Sequence, residues 1–264
     1  MTKKEAQARK IIKKLLRAGF TAYLAGGCVR DRVMGIKSKD YDIATSAKPQ
    51  DIMALFKRTL AVGAHFGVVI VLDMGEQFEV ATFRKDGPYS DGRRPDSVTF
   101  ADAKEDVLRR DFTINGLLYD TINEKIIDYV GGVKDIKKGV IKTIGQPLRR
   151  FSEDRLRLIR AVRFSARFNF KIHDQTYKAI EKIHSEILGV SAERIKDEIT
   201  KIITGPNRGL AIELLKKTKL LKDILPEVDM LEGISQPPEF HPEGDVLDHT
   251  KLVLDFLREP CETL

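Results

Sequence analysis

Asp40-Tyr41-Asp42 is the pair of acids whose spacing most readily does chemistry. Residues 41–45 read as a strand, in which side chains alternate faces, so Asp40 and Asp42 point one way and Tyr41 the other. Two carboxylates on one face repel unless a cation lies between them, and oxygen donors suit Mg²⁺ or Mn²⁺. Two solvated acids on an edge strand is the plainer reading of that tripeptide alone. Upstream, Leu24-Ala25-Gly26-Gly27-Cys28-Val29-Arg30-Asp31 reads as a strand whose glycine pair opens a helix. Such a turn lets backbone N–H groups approach a phosphate at a helix N-terminus, with Arg30 one turn further in as a cation. Glu79, on a strand-like stretch, is a third candidate acid. Three acids fit a two-metal displacement that activates a hydroxyl and steadies a pyrophosphate leaving group.

These residues need an α/β scaffold, and the pattern supplies one. A basic amphipathic helix runs to about Gly19, with Ile11, Ile12, Leu15 and Leu16 on its apolar face. Strands follow at 21–25 and 41–45, and helices at 27–34 and 49–58. Residues 68–72 and 77–82 form a hairpin turning at Met74-Gly75. Residues 84–96, rich in Gly, Pro and charge, read as a mobile loop. Strands at 113–118 and 126–129 complete the domain. Beyond Arg150 the strand signals give way to helical periodicity at 152–168, 174–185, 191–204 and 207–218. The expected organisation is a catalytic α/β head over 1–147 and a helical part over 148–232. Residues 233–264 read as the start of a further helical unit, as in a truncated or short variant.

Bulk properties narrow the function classes. The chain has 264 residues, 42% hydrophobic and 32% charged, with net charge +7 and pI about 9.2, which suits a polyanionic partner. Two cysteines, Cys28 and Cys261, lack metal-ligand spacing and argue for a reducing compartment. No signal-peptide core or bilayer-spanning run is present, so a cytoplasmic protein with no membrane partner is expected.

Several stretches, taken in order, resemble the class II enzymes of the polymerase β superfamily, the tRNA nucleotidyltransferases and bacterial poly(A) polymerases. Residues 24–45 resemble their signature, and Glu79-Val80-Ala81-Thr82-Phe83-Arg84 their third-carboxylate strand. Arg109-Arg110-Asp111-Phe112-Thr113-Ile114-Asn115-Gly116 and Asp128-Tyr129-Val130-Gly131-Gly132 resemble the next two motifs. Residues 153–164, from Glu153-Asp154-Arg155-Leu156-Arg157, resemble the nucleotide-selecting motif, and 191–198 the one after it. The resemblance covers about residues 20–230 and implies a nucleotidyltransferase head with a helical neck and body.

It also implies roles. Asp40, Asp42 and Glu79 would hold two Mg²⁺ ions, and Gly26, Gly27 and Arg30 the triphosphate. Asp111 would read the ribose 2′-hydroxyl, with Arg110 and Asn115 nearby. Asp154 and Arg157 would pair with the base edge, Glu153 would brace them, and Arg160 and Arg163 would support phosphate or structure. The residue types agree with this. Asp154, Arg157 and Arg160 recur every third position on one helix face, where a carboxylate accepts from an exocyclic amine and a guanidinium donates twice. A surface salt-bridge ladder is the alternative.

The implied activity is CCA addition to the tRNA acceptor end from CTP and ATP. An A-adding enzyme, a poly(A) polymerase and a catalytically silent RNA-binding protein are the alternatives. The 84–96 loop matches one that CC-adding relatives tend to lack. Val62-Gly63-Ala64-His65-Phe66-Gly67 departs from the histidine-glycine pattern of many full CCA-adders. Arg194, Lys196, Lys201, Arg208, Lys216, Lys217, Lys219 and Lys222 are candidate RNA contacts. Asp174 reads as a helix N-cap after His173 rather than part of a metal site. His241 and His249 lie in a stretch that resembles the opening of an HD-like module, but no later HD dipeptide follows and no phosphohydrolase site is expected.

Overall fold

The computed structural model describes residues 1–237 and 239–257; Cys261 lies outside them. The chain folds as two compact units. One comprises Met1–Asp91, Pro95–Lys138 and Thr143–Gly145, the other Gly92–Arg94, Gly139–Lys142 and Gln146–Leu264.

The first unit begins with α1 (Lys3–Arg17), β1 (Ala22–Ala25), α2 (Gly27–Val33), β2 (Asp42–Thr45) and α3 (Pro49–Leu55). β3 (Thr59–Gly63), β4 (Val68–Asp73) and β5 (Glu76–Thr82) follow, then β6 (Arg84–Asp86), β7 (Val98–Phe100) and α4 (Ala103–Leu108). β8 (Leu117–Asp120), β9 (Lys125–Asp128) and α5 (Gly132–Lys138) complete it. Seven strands make one mixed sheet in the order β3-β4-β5-β2-β1-β8-β9. Only β2 and β5 pair in parallel; the other neighbours are antiparallel. Ala8, Ile11, Ile12 and Leu15 bury one stripe of α1, at the i, i+3, i+4, i+7 spacing of an amphipathic helix. Fully burying each such large side chain stabilises by about 1.5–3 kcal/mol.

Several expectations change here. The strand at 41–45 begins only at Asp42, although exposure still alternates through Asp40, Tyr41 and Asp42. β3 has no burial alternation because it is an exposed edge, so its pairing with β4 alone reveals it. Residues 87–97 carry no helix or strand, but the loop is closed at its base by a short hairpin. β6 pairs with β7, Gly87 N–H donates to the Ser97 carbonyl at 2.8 Å, and Asp96 N–H to that of Pro88 at 2.8 Å. The loop that composition suggests is therefore present, with its ends tied by cross-strand bonds. The β4–β5 turn does fall at Met74-Gly75, both with positive φ. The strand at 113–118 is a 3₁₀ turn, Thr113–Asn115, followed by β8.

The second unit contributes β10 (Val140–Ile141), α6 (Pro147–Glu153), α7 (Arg157–Phe168), β11 (Lys171–Ile172), α8 (Asp174–Ile183) and α9 (Ala192–Ile203). α10 (Arg208–Lys217), α11 (Leu220–Ile224), α12 (Pro226–Asp229) and α13 (Val246–Phe256) follow. The middle of α7 is its core, with Leu158, Ile159, Ala161 and Val162 fully buried. The expected helix over 152–168 is broken. Asp154 is extended at φ −148°, and its carboxylate accepts the Leu156 N–H at 3.2 Å, a local bond that competes with helix continuation. The N-cap of α8 is His173, whose Nδ1 accepts the Gln175 N–H, rather than Asp174. Among the described residues no helix is long and apolar enough to cross a membrane.

Asp128 explains its glycine-rich motif. Its two carboxylate oxygens accept the N–H groups of Val130, Gly131, Gly132 and Val133 at 2.8–3.1 Å, satisfying donors that open α5. A Cβ on Gly132 would lie 2.1 Å from the Thr113 carbonyl oxygen, so only glycine fits there. Asp128→Ala is therefore expected to cost about 1–2 kcal/mol, lowering the melting temperature by a few degrees in a thermal scan.

Candidate active site

Parallel pairing of β2 with β5 sets Ile43 against Val80, which places Asp42 and Glu79 side by side one residue earlier. Asp40, Asp42, Glu76 and Glu79, with Lys4, line one cavity of about 390 Å³. The Asp42 carboxyl is pushed up to about 6 by desolvation and then by the charges of Glu79 and Asp40, against the pull of Arg110 and Lys4. Its surface still meets solvent, as befits a cavity floor that a cation can enter. The three predicted acids are thus gathered at one cavity, an oxygen-donor set that could hold a hard divalent ion. Lys4 meets part of that charge itself, its Nζ 2.8 Å from Asp40 Oδ1 and 3.4 Å from Glu76 Oε2.

Beside the acids lies the glycine turn. Gly26 has φ +69°, and a Cβ there would sit 3.0 Å from Arg110 Nη1, so glycine is required for both conformation and close approach. Gly27 opens α2. Arg30 does not present itself to a ligand as expected. It is 4% exposed, with Nε and Nη2 donating to Asp31 at 3.0 and 2.7 Å and Nη1 to Asn115 Oδ1 at 2.7 Å. Asn115 in turn donates to Asp111 Oδ1 at 3.1 Å, which also accepts the Phe112 N–H at 2.7 Å. Arg30, Asn115 and Asp111 therefore form one buried relay that fixes the Asp111 carboxylate. Cys28 is inert here: its thiol is buried, pushed up to about 12 by desolvation and then by the Asp42 charge.

Sequence reasoning missed Asp106. It is 1% exposed and accepts two bonds from Arg109, at 3.0 and 2.7 Å, and two from Arg110, at 3.3 and 3.0 Å. Burial pushes this carboxyl up, but the two guanidinium charges outweigh it and hold it below the usual range. The i, i+3 and i, i+4 spacing on α4 was the available signal.

In the second unit Glu153, expected to brace Asp154 and Arg157, accepts from Arg157 at 3.0 Å and from Arg150 at 2.7 Å. Asp154 precedes α7, so it shares no helix face with Arg157 and Arg160. Its two oxygens instead accept from Arg194 Nη2 at 3.1 and 3.2 Å. Arg163 is committed to the buried Glu198 at 2.6 Å, and Arg160 lies 4.0 Å from the same acid. Arg194, expected to touch RNA, holds Asp154.

Two family profiles match in sequence order: the poly A polymerase head domain over residues 22–142, and the probable RNA and SrmB-binding site of polymerase A over 169–231. The chain is 43% identical over 229 residues to the CCA-adding enzyme of Anoxybacillus flavithermus, covering 86% of this chain and 57% of that one. The chain belongs to the poly(A) polymerase and CCA-adding enzyme family. The CCA-adding enzyme of Enterococcus faecalis is 45% identical over 208 residues, 78% of this chain and 51% of its own. The Bacillus stearothermophilus CCA-adding enzyme in complex with CTP superposes with TM-score 0.80 at 38% identity, covering 88% of this chain and 57% of that chain. A Thermotoga maritima CCA-adding enzyme complexed with tRNA superposes at 0.71 with 25% identity, covering 86% and 54%. The chain thus spans about half the length of the curated relatives it matches.

The raised Asp42 carboxyl has a stability consequence. An acid whose folded value lies above its ordinary 3.8 destabilises the fold as pH rises from 3.8 to about 6, and that cost is fully present above. Without metal, Asp42→Asn is expected to remove this loss, worth on the order of 1 kcal/mol at pH 7 once solvent screening is allowed for. Thermal scans between pH 4 and 8 check it. Added Mn²⁺ should stabilise the wild type above pH 6 and leave the variant unmoved.

Proposed function

We propose that the chain adds CMP and AMP from CTP and ATP to the 3′ end of tRNA, without a nucleic-acid template, in the cytoplasm. The observation that carries this reading is the juxtaposition of Asp42 and Glu79 on parallel strands with Asp40 at the same cavity. Two Mg²⁺ ions bound there would lower the pKa of the attacking 3′-hydroxyl and neutralise the pyrophosphate as it departs. The chain's own residues supply position. The Gly26-Gly27 turn that opens α2, with Arg110 beside it, receives the triphosphate. Asp111, held by Asn115 and Arg30, accepts the ribose 2′-hydroxyl and selects ribonucleotides. Asp154 and Arg157 present an acceptor and paired donors to the base edge, each held by a neighbour, Arg194 and Glu153. Names of relatives agree: one structure is a tRNA nucleotidyltransferase with a primer tRNA and an incoming ATP analogue, at 27% identity, TM-score 0.70.

Incorporation of labelled CTP and ATP into tRNAs ending before the tail, after the first C and after CC tests it. Ordered addition stopping at CCA is expected, falling to background in Asp40→Ala/Asp42→Ala. ATP use on the CC-ended tRNA alone would make the chain an A-adder, and long A tails on varied RNAs a poly(A) polymerase. No incorporation above the double variant would reject catalysis by this chain and favour an RNA-binding role. Asp154→Ala is expected to reduce discrimination for CTP and ATP over UTP and GTP by about tenfold or more, the loss of one base-edge contact.

A further inference from the structure

The segment after α12 and the first turn of α13 together carry two histidines and a glutamate that the proposed reaction does not use. Asp245 organises it. Its carboxylate accepts the N–H groups of Leu247 and Asp248, at 2.8 and 3.2 Å in the first turn of α13, and that of Gly233 at 2.6 Å. Backbone bonds close the same loop: Gln236 N–H to the Gly244 carbonyl, Val246 N–H to Ile234, and Gly244 N–H to His241, all at 2.9–3.1 Å. His241 and Glu243 on the loop and His249 on α13 are therefore placed by the backbone rather than by their own side chains. α13 is itself anchored to α10, since Arg208 Nη1 donates to the Leu254 and Leu257 carbonyls at 2.7 Å and Gly209 N–H to Asp255 at 2.9 Å.

The three side chains converge. Their nearest ligand atoms all lie within 4.8 Å of one another. Glu243 Oε1 hydrogen-bonds His249 Nδ1 and lies 3.5 Å from His241 Nδ1, and the two rings meet edge to face with centroids 4.7 Å apart. All three are half-buried, so water can reach the cluster but does not flood it. Two imidazole nitrogens turned to one carboxylate oxygen is the donor set of a transition-metal site. Ligand atoms of tetrahedral Zn²⁺ stand about 3.3 Å apart, near the 3.5 Å between Glu243 Oε1 and His241 Nδ1. Imidazole donors favour Zn²⁺ over Mg²⁺ or Ca²⁺, which prefer all-oxygen sites.

We propose that His241, Glu243 and His249 form a binding site for one first-row transition cation, Zn²⁺ foremost, with water in the fourth position. It shares no residue with the carboxylate cavity, and it staples the 241–243 loop to the first turn of α13.

The test uses the full chain stripped of metal, titrated with Zn²⁺ against a chromophoric chelator and separately with Co²⁺. One equivalent of Zn²⁺ is expected, with intense visible Co²⁺ bands of a four- or five-coordinate nitrogen-containing site. His249→Ala, His241→Ala and Glu243→Gln should each weaken Zn²⁺ binding by about tenfold or more. Asp40→Ala/Asp42→Ala should leave both signals intact. The three ligands lie outside the buried core, so thermal scans in chelator should match the wild type; Glu243→Gln, the nearest isostere, carries the test if an alanine variant unfolds. No Zn²⁺ binding, binding unchanged in these variants, or only the weak octahedral Co²⁺ spectrum would overturn the proposal.

Discussion

The repulsion between carboxylates at Asp42 and Glu79 is the constraint around which the head is arranged. A parallel register between β2 and β5 forces the two acids together, with Asp40 just before the strand. Nothing about folding favours that; burial first, and then the Glu79 and Asp40 charges, raise Asp42 to about 6, while Lys4 offsets part of the charge. Such strain is retained where it serves function, and here a divalent cation would turn it into affinity. Around it the sheet is conventional, built from antiparallel neighbours over a buried stripe of α1.

The arginines of the head are divided between two duties. Arg30 is buried and passes its order through Asn115 to Asp111, so that carboxylate is held in place by the fold itself. Arg110 lies against Gly26 and is aimed by Asp106, whose buried carboxylate also holds Arg109. A buried acid shared by two guanidiniums makes both geometries rigid, and preorganised charge is what a transferring phosphoryl group requires. The second unit repeats the device, with Glu153 bracing Arg157, Arg194 holding Asp154, and Glu198 fixing Arg163.

What could be read from residues alone follows from range. The β4–β5 hairpin was legible because Met74-Gly75 is local turn chemistry, and the acids because alternation is local. The break before α7 was not, since periodicity continues through it while Asp154 bonds its own backbone and an arginine 40 residues away. β3 was hidden by an exposed edge, and the 84–100 hairpin by its glycines and prolines. Arg30 was read as a phosphate cation because it stands near a glycine turn; its burial against Asp31 and Asn115 depends on long-range packing that no local pattern carries. Asp106 was readable only from its i, i+3 and i, i+4 spacing to Arg109 and Arg110, which by itself does not tell a buried acid from an exposed one.

The most direct measurement of the carboxylate site's role is electron paramagnetic resonance of Mn²⁺ titrated into the chain with a non-reactive CTP analogue. Two Mn²⁺ ions per chain are expected, giving the signal of a magnetically coupled pair that is absent in Asp42→Asn. An analogue bound without any coupled pair, or a pair that persists in the variant, would contradict a two-ion site built on Asp40, Asp42 and Glu79.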